Sequence, residues 1–256
     1  MGGGIRIVNP VPERAYLGTV DGIPDAISCG IQLDDGTLKG AIIFKRGTTW
    51  HTLGDQLVQT KATEYEAFTN YRFPSESTVS PGQGGSIMSS FDLALDITNG
   101  FFTASGTDIT LQTTGSLERI EFDVNLLRAI YMRDSLIRPY LGRILLRADP
   151  ASDPYNATVD GSALADLVRA EWNTNQTDSA RDLVSVVSEG EVGNFFSWFS
   201  SVGTDSGYSH VRTGANGEFG EALLAGLSLN WNARIGSGGD PEGLSLIHIS
   251  EPTRQS

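Results

Sequence analysis

The sequence predicts an α+β chain: a β-rich first half, then an α/β half built on a mostly parallel twisted sheet. Two observations predict this order. From Ala15 to about Thr114 short apolar-polar alternations are punctuated by Gly and Asp-Gly, the pattern of antiparallel strands joined by tight turns. After Gly115 strand-like runs alternate with helix-spaced ones, the pattern of strand-helix-strand units.

In the first half the strand segments are "AYLGTVDG", "DAISCGIQL", "LKGAIIFKRG", "TTWHTL", "FDLALDI", "GFFTASG" and "TDITLQTTG". Asp34, Asp35 and Gly36 form the strongest hairpin signal, because Gly supplies the left-handed backbone that a tight turn needs. "PSESTVSPGQGG", from Pro74 to Gly85, has the composition of a flexible, cleavable linker. Residues 1–114 are therefore assigned to a β-rich domain.

Residues 115–243 are assigned to the α/β domain. "LERIEFDV" is predicted as a buried strand and "NLLRAIYMRDSLI" as a helix. "LGRILLRAD" follows as a strand buried on both faces through Ile144, Leu145 and Leu146. "DGSALADLVRAEWNTN" starts a helix with Ser162 as its N-cap and Leu164, Leu167, Val168 and Trp172 on one stripe. "ARDLVSVVS" and "GNFFSWFSSVG" are further strands, "GYSHVR" an edge strand and "GEFGEALLAGLSLNWNA" the last helix.

Composition narrows the function. With 18 Lys+Arg against 31 Asp+Glu the chain is acidic and has no basic cluster, so it lacks the phosphate-neutralising surface that nucleic-acid binding requires. No apolar run reaches the length of a membrane span, and "MGGGIRIVNP" has neither a signal-type apolar core nor Ser or Thr at its sixth position. The single cysteine, Cys29, excludes internal disulfides in this stretch and is expected to be a small buried apolar side chain. Asn156-Ala-Thr158 and Asn175-Gln-Thr177 match glycosylation triplets, which are common by chance. The tail from Leu244 to Arg254 resembles a translated transposase adapter of the kind used in short-read libraries. Residues 244–256 are therefore expected to be non-native and leave the inventory, with His248 among them.

Four stretches carry a family resemblance: "IYMRD"; "ADPASDPYNA" leading into "LVRAEWNTN"; "RDLVSVVS"; and "GNFFSWFSSVG" with "GYSHVR" just ahead of "LLA" and "NWNAR". In that order and spacing the second half resembles a bacterial reprolysin-like (adamalysin-type) zinc metallopeptidase of the metzincin group. "YLGTVDGIPDAISCGIQLDDGTLKGAIIFKRGTTW" resembles the β-rich propeptide that precedes such domains. The resemblance implies a secreted endopeptidase that hydrolyses peptide bonds with a zinc-bound water, acting on a peptide or protein laid along an edge strand. Phe196 and Trp198 are the substrate-strand candidates.

In the family the last helix would read A-H-E-x-G-H-N-W and then x-A-x-H: two imidazoles one turn apart on one zinc, a Glu as general base, and a third His beyond a turn. Anchored on Ala225 and "NWNAR", this chain is one residue short, and the first His is deleted after Ala225. Gly226 then stands at the general-base position, with Leu229 and Ile235 at the second and third ligand positions. No intact catalytic or metal residue remains, so no cofactor is expected for this chain, whereas an intact relative would hold zinc. His51 and His210 lie elsewhere and are expected to be structural or solvent-facing. Asp240 and Glu242 could meet Asp205 or Glu218, but an oxygen-only set suits calcium or magnesium, and solvated acids are the plainer reading. Ser228 lacks an activating neighbour, and Leu223, Leu224, Leu227 and Leu229 are expected to be buried.

Two further departures follow from the resemblance. The stretch before "AIYMRD" looks short for a first long helix, and the Met-containing turn beyond Gly243 is absent, which would leave apolar surface of the last helix exposed. Motif loss has two explanations, a true pseudopeptidase or a damaged read. Two other functions stand beside the protease family: a non-enzymatic extracellular binding module, and a structural or adhesive surface protein suggested by the Gly, Ser and Thr content.

Overall fold

The computed structural model describes residues 4–8, 14–44, 49–53, 56–60, 71–72, 88–155, 161–189, 195–198, 201–202, 204–213 and 219–231. In chain order the strands are β1 (Ile5–Val8), β2 (Ala15–Val20), β3 (Ile23–Gln32), β4 (Leu38–Ile43), β5 (Thr49–Leu53), β6 (Gln56–Thr60), β7 (Tyr71–Arg72), β8 (Ser89–Ile97), β9 (Ile137–Arg147), β10 (Leu183–Glu189), β11 (Phe195–Trp198) and β12 (Tyr208–Thr213). The α-helices are α1 (Asn99–Ala104), α2 (Ile109–Ser135), α3 (Gly161–Asn175) and α4 (Gly220–Asn230). The architecture is mixed α+β, with one antiparallel and one mixed sheet.

Strands β2 to β6 form an antiparallel meander in sequence order. The β3–β4 turn is the predicted one. Gly36 sits at φ 86°, in the left-handed region, and the Thr37 N–H donates to Asp35 Oδ1 at 2.8 Å. Cys29 is buried in β3, as its apolar setting predicts.

The larger sheet runs β1-β9-β8-β10-β12-β11-β7. Strands β9, β8, β10 and β12 are mutually parallel, while β11 is antiparallel to β12 and β1 antiparallel to β9. Alternate strand residues feed two cores. Phe91, Leu93, Leu95 and Ile97 pack with Ile120, Val124, Leu127 and Tyr131 of α2 and with α4. Leu145, Val184 and Val186 pack with Leu164, Val168 and Trp172 of α3. A third cluster joins the two sheets, with Phe122, Leu126 and Ala129 of α2 against Cys29, Ile31, Ala41 and Ile43.

Helix α2 overturns several expectations. Gly100–Ala104 of "GFFTASG" fall in α1, while "ITLQTTG" and "LERIEFDV" lie in the unbroken 27-residue α2, so the first long helix is not abbreviated. Asp108 caps it, accepting from the N–H groups of Thr110 (2.9 Å) and Leu111 (3.0 Å). The 114/115 boundary thus falls inside a helix, and "FDLALDI" is β8, an interior parallel strand of the large sheet. "GYSHVR" is also interior, because β12 lies between β10 and β11. Leu167 is 37% exposed and leaves the predicted α3 stripe, and Ser162 lies within α3 instead of preceding it. The linker 74–85, Asn156, Glu218, Ile235, Asp240, Glu242 and the tail 244–256 lie outside the described residues.

Candidate functional site

The last helix, where the resemblance would put the zinc motif, is apolar almost all round. Ala222, Leu223, Leu224, Ala225, Leu227 and Leu229 are all buried, so the expected exposed surface is not found among the described residues. Each side of α4 has a covering element. At its start the Phe219 N–H donates to Asp123 Oδ2 of α2 at 3.1 Å, placing a carboxylate at the positive end of the helix. On the α2 side Ser228 Oγ lies 3.2 Å from Tyr131 Oη. Beyond the helix end Trp231 packs edge-on against Phe91 of β8, with ring centroids 5.4 Å apart.

On the sheet side Gly226 faces β12. A Cβ added there would stand 3.5 Å from Ser209 Cβ and 3.7 Å from Val211 Cγ1, ordinary contact for a methyl group. One turn on, Asn230 ties the helix to the β11–β12 connection. Its Nδ2 donates to Trp198 O (2.7 Å), Ser201 Oγ (2.8 Å) and Tyr208 O (3.2 Å), and its own carbonyl accepts from the Ser201 N–H at 2.9 Å. Ala225 and Leu229, four residues apart, share one face of this unbroken helix.

Phe196 and Trp198 do not display their side chains along a cleft. They are 7% and 6% exposed and belong to the core beneath α3, with the Arg169 guanidinium 5.6 Å from the Trp198 ring centre. The outer edge of β11 carries β7, which runs parallel to it with Ser197 opposite Tyr71 and Trp198 opposite Arg72.

His51 and His210 are not brought together. His51 lies in β5 of the small sheet, paired with Ala41 and Val58, whereas His210 is in β12 of the large one. His210 is buried, and its Nε2 lies 2.7 Å from Ser188 Oγ. Burial, helped by the charge of Arg212, pushes its pKa down to about 3, so the ring is neutral. Asp205 is paired with Arg169 at 2.9 Å. Among the described residues no three His, Cys, Asp or Glu side chains stand together as a metal set.

No protein-family model matches the chain, and no curated protein matches it.

The strongest polar centre is one that the sequence reading missed. Asp96, fully buried at the end of β8, accepts from Arg147 Nε (2.8 Å) and Nη2 (2.7 Å), Tyr155 Oη (2.8 Å) and Trp172 Nε1 (2.9 Å). Arg147 also donates to Glu171 at 3.0 Å and to Ser152 O at 3.1 Å. Burial lifts the Asp96 carboxyl above its usual range against the pull of these donors, and burial together with the Asp96 charge raises the Tyr155 phenol. All members are engaged with one another, so the centre fastens β8, β9, the turn after β9 and α3 together. The available signal was Asp96, the second of two acids in the largely apolar run "FDLALDI", with Arg147 closing "RILLR": a charge inside a buried strand demands a partner.

Proposed function

We propose that this chain is a non-catalytic relative of the reprolysin-like metzincins, a secreted pseudopeptidase that keeps a peptide-docking edge without a zinc centre. One observation carries the reading: α4 is continuous from Gly220 to Asn230. Counted back from Asn230-Trp231 along an unbroken helix, Leu229 and Ala225 occupy the two ligand positions one turn apart. No deletion after Ala225 is needed, because Ala225 itself stands where the first imidazole would. Neither Ala225 nor Leu229 offers a lone pair, and Gly226, at the general-base position, faces β12. The residues present do not fit a zinc ion, and no hydrolytic step is derived through one.

Two features support a retained docking role: the mostly parallel sheet that the resemblance implies, and the antiparallel strand β11 beside the last helix. An extended segment of the chain itself, β7, lies along that strand, as a peptide or protein partner would in strand addition. The decisive measurement is zinc content of the purified full chain after equilibration with zinc chloride and dialysis. The expected result is far less than one zinc per chain, with no cleavage of casein; stoichiometric, tightly held zinc would overturn the reading. For the docking edge, Tyr71→Pro with Arg72→Pro should increase binding of a labelled peptide copying "TNYRFP", and unchanged binding would remove that part.

A further inference from the structure

The N-terminal half closes the large sheet at both ends. Strand β1 adds to the outer side of β9, with Ile5 opposite Arg147 and Val8 opposite Ile144. Strand β7 adds to the outer side of β11, at the opposite edge. Between these, the small sheet covers a face of α2 that the large sheet leaves free. Phe122 and Leu126 are buried there against Ile31 and its neighbours, and Lys39 Nζ lies 4.2 Å from the Phe122 ring centre. The join is directional as well as apolar: Asn125 Nδ2 of α2 donates to the backbone carbonyls of Tyr16 (2.9 Å) and Gly30 (3.0 Å), one in each of two neighbouring strands, and Arg14 pairs with Glu121.

We infer that residues 1–72 are a permanent part of the α/β fold, so that a chain cut between residues 74 and 85 persists as a two-chain complex. The interaction surface is the outer face of α2 with the outer edges of β9 and β11, and its partner is this chain's own N-terminal fragment. The physical reason is what separation would uncover. It would expose two sheet edges with unpaired N–H and C=O groups, the apolar α2 face, and a buried Asn125 without its acceptors. A shield that is discarded after cleavage should meet the domain it covers through surfaces that both tolerate water, and this one shares a core with it. The inference is independent of the zinc centre; it bears on peptide docking in one respect, that the β11 edge is held by β7 and takes a peptide only where β7 is displaced.

The test places a site-specific protease sequence between Pro74 and Gly85 of the full chain, cuts it, and follows the product by size-exclusion chromatography and native mass spectrometry at micromolar concentration. The expected product is one species with the summed mass of both fragments, keeping the thermal transition of the uncut chain. Separation of the fragments at that concentration overturns the inference, whether the larger fragment stays soluble or precipitates. In the cut protein Asn125→Ala should weaken the association about tenfold, read as faster exchange with labelled N-terminal fragment. Unchanged exchange would show that the α2 face is not the joining surface and would also overturn it.

Discussion

The two faces of the large sheet treat polar chemistry in opposite ways. Beneath α3, Asp96, Arg147, Tyr155, Trp172 and Glu171 form a buried, mutually bonded centre. Beneath α4, on the face where the family resemblance would put a metal and a general base, the helix offers Ala225, Gly226 and Leu229, and Asn230 bonds to backbone and a serine. The difference teaches that residue types suited to catalysis mark a functional site only where something is left unsatisfied for a ligand. The α3 side spends its charges on holding strands together; on the α4 side the Asp123 carboxylate is engaged at the helix start, and Ala225, Gly226 and Leu229 carry no charge.

The comparison can be broken most forcefully at Asp96. Asp96→Ala leaves the Arg147 guanidinium buried without its main partner, and chemical denaturation should show a loss of about 3–5 kcal/mol. A loss below about 1 kcal/mol would mean that the centre is not holding the fold. On the other face, Gly226→Glu should cost about 3 kcal/mol, because the carboxylate would be driven against Ser209 and Val211 of β12. Urea midpoints of the two variants would place them on one scale.

Acid offers a third probe. The folded His210 pKa of about 3 lies below that of a free imidazole, so below about pH 6.5 the unfolded chain takes up a proton that the folded one does not. Stability from this group is intact above that pH, falls as pH drops toward 3, and is about 3 kcal/mol lower at pH 4. The difference between wild type and His210→Gln across pH 4–7 isolates it from the carboxylates, and parallel profiles would remove the assignment. Smaller again, Asn230→Ala should cost about 1–3 kcal/mol by freeing the carbonyls of Trp198 and Tyr208, measured by thermal unfolding. Gly226→Ala should lie within about 1 kcal/mol of wild type, since a methyl meets only ordinary contacts and alanine favours the helix.

Local pattern carried the hairpin at Asp34–Gly36, the strands β9, β10 and β11, and the burial of the leucines in α4, because each depends on residues close together in the chain. It failed at α1 and at the first part of α2, while "NLLRAIYMRDS" is helical as expected. The Phe and Thr content of "GFFTASG" and "TDITLQTTG" favours strands, and α2 buries two faces against two sheets, so it shows no single apolar stripe. Strand β8 has the alternation of a half-exposed antiparallel strand, yet its polar position Asp96 is buried because Arg147, 51 residues away, meets it. At the candidate site the identities of Ala225, Gly226 and Leu229 were legible, whereas the direction in which Gly226 faces was not.

The sequence by itself determined what the last helix can offer from Ala222 onward: no His or Glu occurs between Glu221 and Glu242. Only the tertiary structure decided where the polar groups that do exist are used, how α2 joins the two sheets, and that residues from both ends of the first 72 close the edges of the second sheet. The physical reason is that identity is local, while burial and pairing are set by partners distant in the chain, which no periodicity along it records.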